Sequence, residues 1–142
     1  MKNALAKLLF NGTPIASIAD NAAAAPAVTY YLSLHIADPG EAGTQATSEA
    51  NYPGYARQPV ARSAAGFNVV GGDAALVNYA DFPEGTGDGN GNVAFWGIGL
   101  ALNGAGTLLA KGPTTKVIPT GDGITPRLKA GSKVSIINSP TE

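Results

Sequence analysis

Between positions 28 and 36 the chain alternates at every step. Val28, Tyr30, Leu32, Leu34 and Ile36 are apolar or aromatic, and Thr29, Tyr31, Ser33 and His35 interleave with them. A period of two places each set on one face of a strand, so this segment reads as a half-buried β-strand. Asp38-Pro39-Gly40 carries the turn chemistry that ends it, and residues 40 to 54 follow as a long polar loop. The same reading predicts strands at 55–62, 67–70, 74–82, 92–102, 107–111, 115–119, 124–128 and 133–138. Gly71-Gly72 is a two-residue hairpin signal. Gly85 to Gly91 reads as a mobile loop, and Gly104 to Gly106, Gly121 to Gly123 and Ala130-Gly131 read as tight connections.

Ahead of the strands, residues 3–10 predict a short helix. Asn3 can accept from the first free backbone N–H groups, and Asn11-Gly12 supplies a left-handed stop. Leu5, Leu8 and Leu9 share one face at helical spacing. Two turns do not stand alone in water, so the helix must dock on its own domain or on a neighbouring subunit. Residues 13–26 carry no clear period.

Short strands with turns about every ten residues define an all-β fold. The expectation is a jelly roll or β-sandwich of about eight short antiparallel strands with a short N-terminal helix. The 142 residues suit one domain, with 1–26 as helix and arm and 27–142 as the β-sandwich. There is no fixed-period repeat and no heptad.

Composition narrows the function classes. Charged residues make up 13%, about half the usual share, and the net charge is −1. Binding nucleic acid through phosphates needs clustered Lys and Arg. The nearest approaches here are Arg57 with Arg62 and Lys129 with Lys133, so no nucleic-acid partner is expected. No apolar run approaches the roughly 20 residues that span a bilayer, so no membrane partner is expected. Lys2, Lys7 and Ala22 to Ala25 imitate the ends of a signal peptide, but Leu8-Leu9-Phe10 is too short an apolar centre. With no cysteine, disulfides, thiolate metal sites and thiol nucleophiles are excluded.

The remaining chemistry is thin. His35 is the single histidine, so a multi-histidine metal centre cannot form. As the base of a triad it would need a nucleophile; Ser33 lies two residues away, a spacing of nearly 7 Å at the backbone and poor for a direct hydrogen bond. His35 therefore reads as structural, donating to a loop carbonyl. Asp88-Gly-Asn90-Gly-Asn92 opens like a calcium loop but has Val93 and Gly99 where that motif needs Gly and Glu. Asp38, Glu41 and Glu49 read as solvated loop carboxylates, and the glycine clusters lack the spacing of phosphate cradles. Trp96, Ile98, Leu100 and Leu102 share a strand face and read as core, with sugar stacking by Trp96 and the tyrosines as the alternative. The sequence thus predicts no catalytic, cofactor-binding or metal residues and no enzyme.

Certain segments carry a likeness. Tyr31-Leu-Ser-Leu-His35-Ile-Ala-Asp38-Pro-Gly-Glu-Ala-Gly-Thr, then Gly54-Tyr55-Ala56-Arg57-Gln-Pro-Val60, resembles the LALHTADPG…GYAR signature of small tailed-bacteriophage virion proteins. Phe95-Trp-Gly97-Ile-Gly99, Gly106-Thr-Leu-Leu109 and Ile124-Thr-Pro-Arg-Leu-Lys-Ala130-Gly131 continue it. Ile36, where those proteins often have Thr, and Pro53 before Gly54 depart from it. Such proteins are tail-fibre-like or capsid decoration (cement) proteins, and within them the chain most resembles the jelly-roll capsid cement protein of a Bordetella phage.

The resemblance implies a non-enzymatic cement protein on the capsid exterior, made in the bacterial host cytoplasm and clamping adjacent copies of the major capsid protein. A tail or tail-fibre component is the alternative, and a host-glycan-binding jelly roll the third reading. Strands 92–102 and 133–138 carry little edge-protecting charge beyond Lys133, which predicts a homodimer on the capsid surface. Leu5, Leu8, Leu9, Arg57 and Arg62 are the candidate partner contacts, with Arg57 left free for an acidic partner.

Overall fold

The computed structural model describes residues 2–15 and 26–136. Apart from one helix, α1 (Lys2–Asn11), its regular elements are strands. They are β1 (Thr29–His35), β2 (Gln58–Ala61), β3 (Phe67–Val70), β4 (Asp73–Leu76), β5 (Ala80–Asp81), β6 (Val93–Gly99), β7 (Leu108–Ile118), β8 (Arg127–Leu128) and β9 (Lys133–Ser135). They pair into antiparallel sheets, so the fold is all-β with a short N-terminal helix, the class that the strand pattern predicts. The chain forms two compact units: Met1–Thr29, Ala61–Tyr79 and Lys129–Glu142 in one, Tyr30–Val60 and Ala80–Leu128 in the other.

In the first unit the strands run in the order β3-β4-β9. Gly71-Gly72 joins β3 to β4 with Val70 opposite Asp73. Both glycines have positive φ, 61° and 93°, as a two-residue hairpin turn matched to the strand twist requires. Phe67, Val69, Ala74 and Leu76 are buried while Asn68 and Val70 face out.

Helix α1 packs on this sheet, and so on its own chain, through Ala6 and Phe10. The Phe10 ring meets Phe67 at 5.0 Å between centroids, tilted by 59°, a favourable aromatic geometry. The expected Leu5–Leu8–Leu9 face is therefore not the docking face; Leu5 and Leu9 are each 37% exposed. Asn3 is not a cap either. The helix begins at Lys2, and Asn3 Oδ1 accepts the Gly72 N–H at the hairpin tip (3.3 Å). The stop at Asn11-Gly12 is made as expected: Gly12 has φ 66° and Thr13 N–H donates back to the Lys7 carbonyl (3.1 Å).

The second unit contains a four-stranded sheet in the order β2-β1-β6-β7 and the pair β5-β8. Leu32 lies opposite Ile98 and Leu34 opposite Trp96, and these four are buried on one face. Tyr31, Ser33 and His35 lie opposite Gly99, Gly97 and Phe95 on the other.

Several strand boundaries differ from expectation. The strands predicted at 107–111 and 115–119 are one, β7, running through Gly112-Pro113. Proline is accommodated because β7 is an edge strand, where a missing N–H breaks no ladder on its open side. Pairing with β6 slips between Val93 and Phe95. The predicted 74–82 strand divides instead, since β4 joins β3 while β5 pairs with β8. Segment 92–102 is no edge: its strand ends at Gly99 and lies between β1 and β7. Leu100 and Leu102 fall beyond that strand and are 43% and 48% exposed, so they do not share the Trp96 core face. The readings at Ala22 to Ala25 and at 137–138 lie outside the described residues. Among the described residues no helix is long and apolar enough to cross a membrane.

Candidate functional site

The connection from β1 to β2, residues 36–57, is long for a compact unit, and a loop of that length needs its own anchors. It has them. Ile36 N–H donates to Ser48 C=O and Ala50 N–H to Leu34 C=O, both at 2.9 Å, so the loop runs beside the end of β1. Gln45 N–H donates to Gly106 C=O (2.9 Å), tying it to the β6–β7 connection. Ser33, His35, Gln45 and Arg57 are the buried polar residues of this latch.

Gln45 is fully enclosed. Its Oε1 accepts the Ala101 N–H (2.9 Å) and its Nε2 donates to the Tyr31 carbonyl (3.3 Å). Space for the side chain exists because its neighbours lack a Cβ. A Cβ at Gly99 would stand 2.0 Å from Gln45 Cδ, and one at Gly106 would stand 2.4 Å from its Oε1. At Gly97 a Cβ would lie 2.6 Å from Leu108 Cδ1 and 3.1 Å from Ser33 Oγ. The glycines of the Phe95-Trp-Gly97-Ile-Gly99 segment therefore clear a bed for the latch.

Arg57 is the second anchor, only 4% exposed. Its Nε and Nη2 donate to Oε1 and Oε2 of Glu49, each at 2.7 Å, a bidentate pairing that fixes both planes. The remaining donors reach Ala101 C=O (Nη1, 2.9 Å) and Gly104 C=O (Nη2, 2.7 Å). Tyr55 completes the group, donating to Glu49 Oε1 (2.8 Å) and accepting the Leu34 N–H (3.1 Å). Hydrogen bonding to Glu49 holds the Arg57 guanidinium above its ordinary value. Burial pushes the Tyr55 phenol far up, and burial pushes Tyr52 up to about 12.

His35 is enclosed beside them. Nδ1 donates to the Thr47 carbonyl (2.8 Å), which can only accept, so Nε2 is the acceptor of the Ser33 hydroxyl at 2.9 Å. The loop-carbonyl partner is the one expected. The Ser33–His35 bond was not, because backbone spacing overstates the distance between side chains that lean together. It resembles a nucleophile and base, yet both residues are 0% exposed and the third partner is a carbonyl. A substrate has no path to it.

Burial, ahead of the opposing help from Thr47, lowers the His35 pKa below 6.5. The unfolded chain then takes up a proton near pH 6.5 that the folded chain refuses, so stability falls as pH drops below that point. The slope reaches at most about 1.4 kcal/mol per pH unit. Melting curves between pH 7.5 and 5.5 should show the decline, and H35Q should flatten it even if its melting point at pH 7.5 is lower. An equal slope in the variant would remove His35 as the cause.

Arg57 is thus not free for an acidic partner; the strand begins only at Gln58, and Arg57 turns inward to Glu49. Arg62 is also engaged. It donates to Leu8 (2.6 Å), Leu9 (2.7 Å) and Ala27 (3.1 Å) carbonyls, a cation closing the C-terminal end of α1. Leu8 is half-buried, leaving Leu5 and Leu9 as the more exposed of the candidate leucines. Glu49 is the anion of the latch and not a solvated loop charge. Asp38 stays at the surface beside Lys111, whose hydrogen bond holds its carboxyl below the ordinary value.

The Asp88–Asn92 loop is exposed but stitched down. Asn51 and Asn90 exchange side-chain-to-backbone bonds of 3.1 and 2.7 Å, and Asn90 Nδ2 donates to Glu49 C=O (2.8 Å). Among the described residues no three of His, Cys, Asp or Glu gather where they could hold a metal ion. Trp96 is 8% exposed and Tyr30 and Tyr52 less, so these three offer no face for sugar stacking, whereas Tyr79 is 58% exposed. Sequence reasoning missed Gln45 and the role of Glu49. The signal was the glycine pair at 97 and 99, which marks the close approach of another group.

The buried polar residues of the β1–β2 connection fasten that loop to its own sheet. A family model described as Podophage GP4 fiber I protein gp80 matches residues 2–134, which makes this a bacteriophage structural protein. The chain belongs to that family. The match supports the tailed-phage virion class read from the motifs and does not extend to the Bordetella cement protein. No curated protein matches the chain.

Proposed function

We propose that the chain is a non-enzymatic subunit of the virion's fibre apparatus, acting by binding other virion proteins. The observation that carries this reading is the match of residues 2–134 to a family described as a fibre protein. Low charge supports it, since interface cores are depleted of charged residues. Leu5, Leu9, Leu100, Leu102 and Leu109 are exposed apolar side chains available for such contacts.

The second reading is a capsid cement protein, a homodimer on the outer shell clamping major capsid subunits. It is favoured by the absence of the repetitive or heptad stretch that a fibre shaft uses, and repeated weak contacts on a lattice would act through avidity. Labelled particles in cryo-EM separate the two. The fibre reading expects density at the tail in tens of copies or fewer; hundreds of copies over the shell would overturn it and favour cement. Particles lacking the protein should then also lose heat resistance under the cement reading alone.

A further inference from the structure

We infer that Asn103 is a site of spontaneous deamidation, and that its modification loosens the Arg57 anchor. The sequence contains three Asn-Gly pairs, Asn11-Gly12, Asn90-Gly91 and Asn103-Gly104. In each, the glycine nitrogen can attack the asparagine side-chain carbonyl carbon. A C–N bond forms, the amide C–N bond breaks and ammonia leaves; water then opens the five-membered imide to aspartate or isoaspartate. The residue must be free to swing its side chain onto the following nitrogen.

The structure separates the three. Asn90 is locked by its backbone and side-chain bonds to Asn51 and Glu49. Asn11, with its amide nitrogen oriented toward them, donates to Phe10 C=O (3.2 Å) and Phe67 C=O (3.0 Å). Asn103 is exposed in the β6–β7 connection and its side chain makes no hydrogen bond within the described residues. Gly104 has open space where a Cβ would stand. Each hydrogen bond that must break first slows ring closure by up to about tenfold.

Gly104 C=O accepts both Arg57 Nη2 (2.7 Å) and the Gly106 N–H (2.9 Å). Isoaspartate at 103 adds a carbon to the main chain just before that carbonyl and moves it off both donors. The intact chain should be incubated at mildly alkaline pH and peptide-mapped by mass spectrometry, folded and in denaturant. In the folded chain the one-dalton gain should appear at Asn103 roughly tenfold ahead of Asn90 and Asn11, an order that denaturant abolishes. N103Q should remove that early step, and the modified wild-type fraction should melt below the unmodified one. Equal or earlier gain at Asn90 or Asn11 in the folded chain, or no change in melting after modification, would overturn the inference.

Discussion

Arg57→Ala is expected to destabilise the fold by about 3–5 kcal/mol, the range for removing one member of a buried ion pair. The loss is large because the guanidinium serves four acceptors at once: two Glu49 oxygens and the carbonyls of Ala101 and Gly104. With Arg57 gone, Glu49 is left as an uncompensated anion, its side chain only 16% exposed. Set against total stabilities of about 5–15 kcal/mol, this approaches half of what holds such a chain folded. Arg57→Lys should recover part of the loss at most, because an ammonium cannot fork across a carboxylate and also reach two carbonyls. Urea titration of the three proteins checks the order, wild type above R57K above R57A.

The second large effect belongs to a residue with no side chain. Gly99→Ala should cost about 2–6 kcal/mol, the sum of overpacking and a buried hydrogen bond left unmade. The added methyl would sit 2.0 Å from Gln45 Cδ, and Gln45, fully buried, has nowhere to retreat. Displacing it would also strand the Ala101 N–H and the Tyr31 carbonyl. Gly112→Ala is the control, since nothing lies within 4 Å of a Cβ there. It should be close to neutral. Trimming Gln45 to alanine in the G99A background removes the clash, so the double variant should lose less than the two single losses added together.

Much of the fold was legible because its signals are local. Period-two alternation located β1, Gly71-Gly72 marked the β3–β4 hairpin, and Asn11-Gly12 marked the end of α1. The misreadings are tertiary. Gly112-Pro113 looks like a break until β7 is known to be an edge. The leucines of α1 look like its docking face until Phe67 is in place to receive Phe10. At the latch, Arg57 alternates with Tyr55 as an exposed strand residue would, and nothing nearby in sequence shows that Glu49 closes on it. The motif residues were visible; their partners, up to 47 positions away, were not.

A double-mutant cycle on Glu49 and Arg57, read by denaturant unfolding, tests the latch most directly. If the two side chains stabilise one another as the geometry describes, Glu49→Ala with Arg57→Ala costs little more than either change alone. The coupling should then come close to a whole single loss, about 3 kcal/mol, the top of the range for residues in one buried network. Additive losses, with each residue contributing independently of the other, would contradict the account.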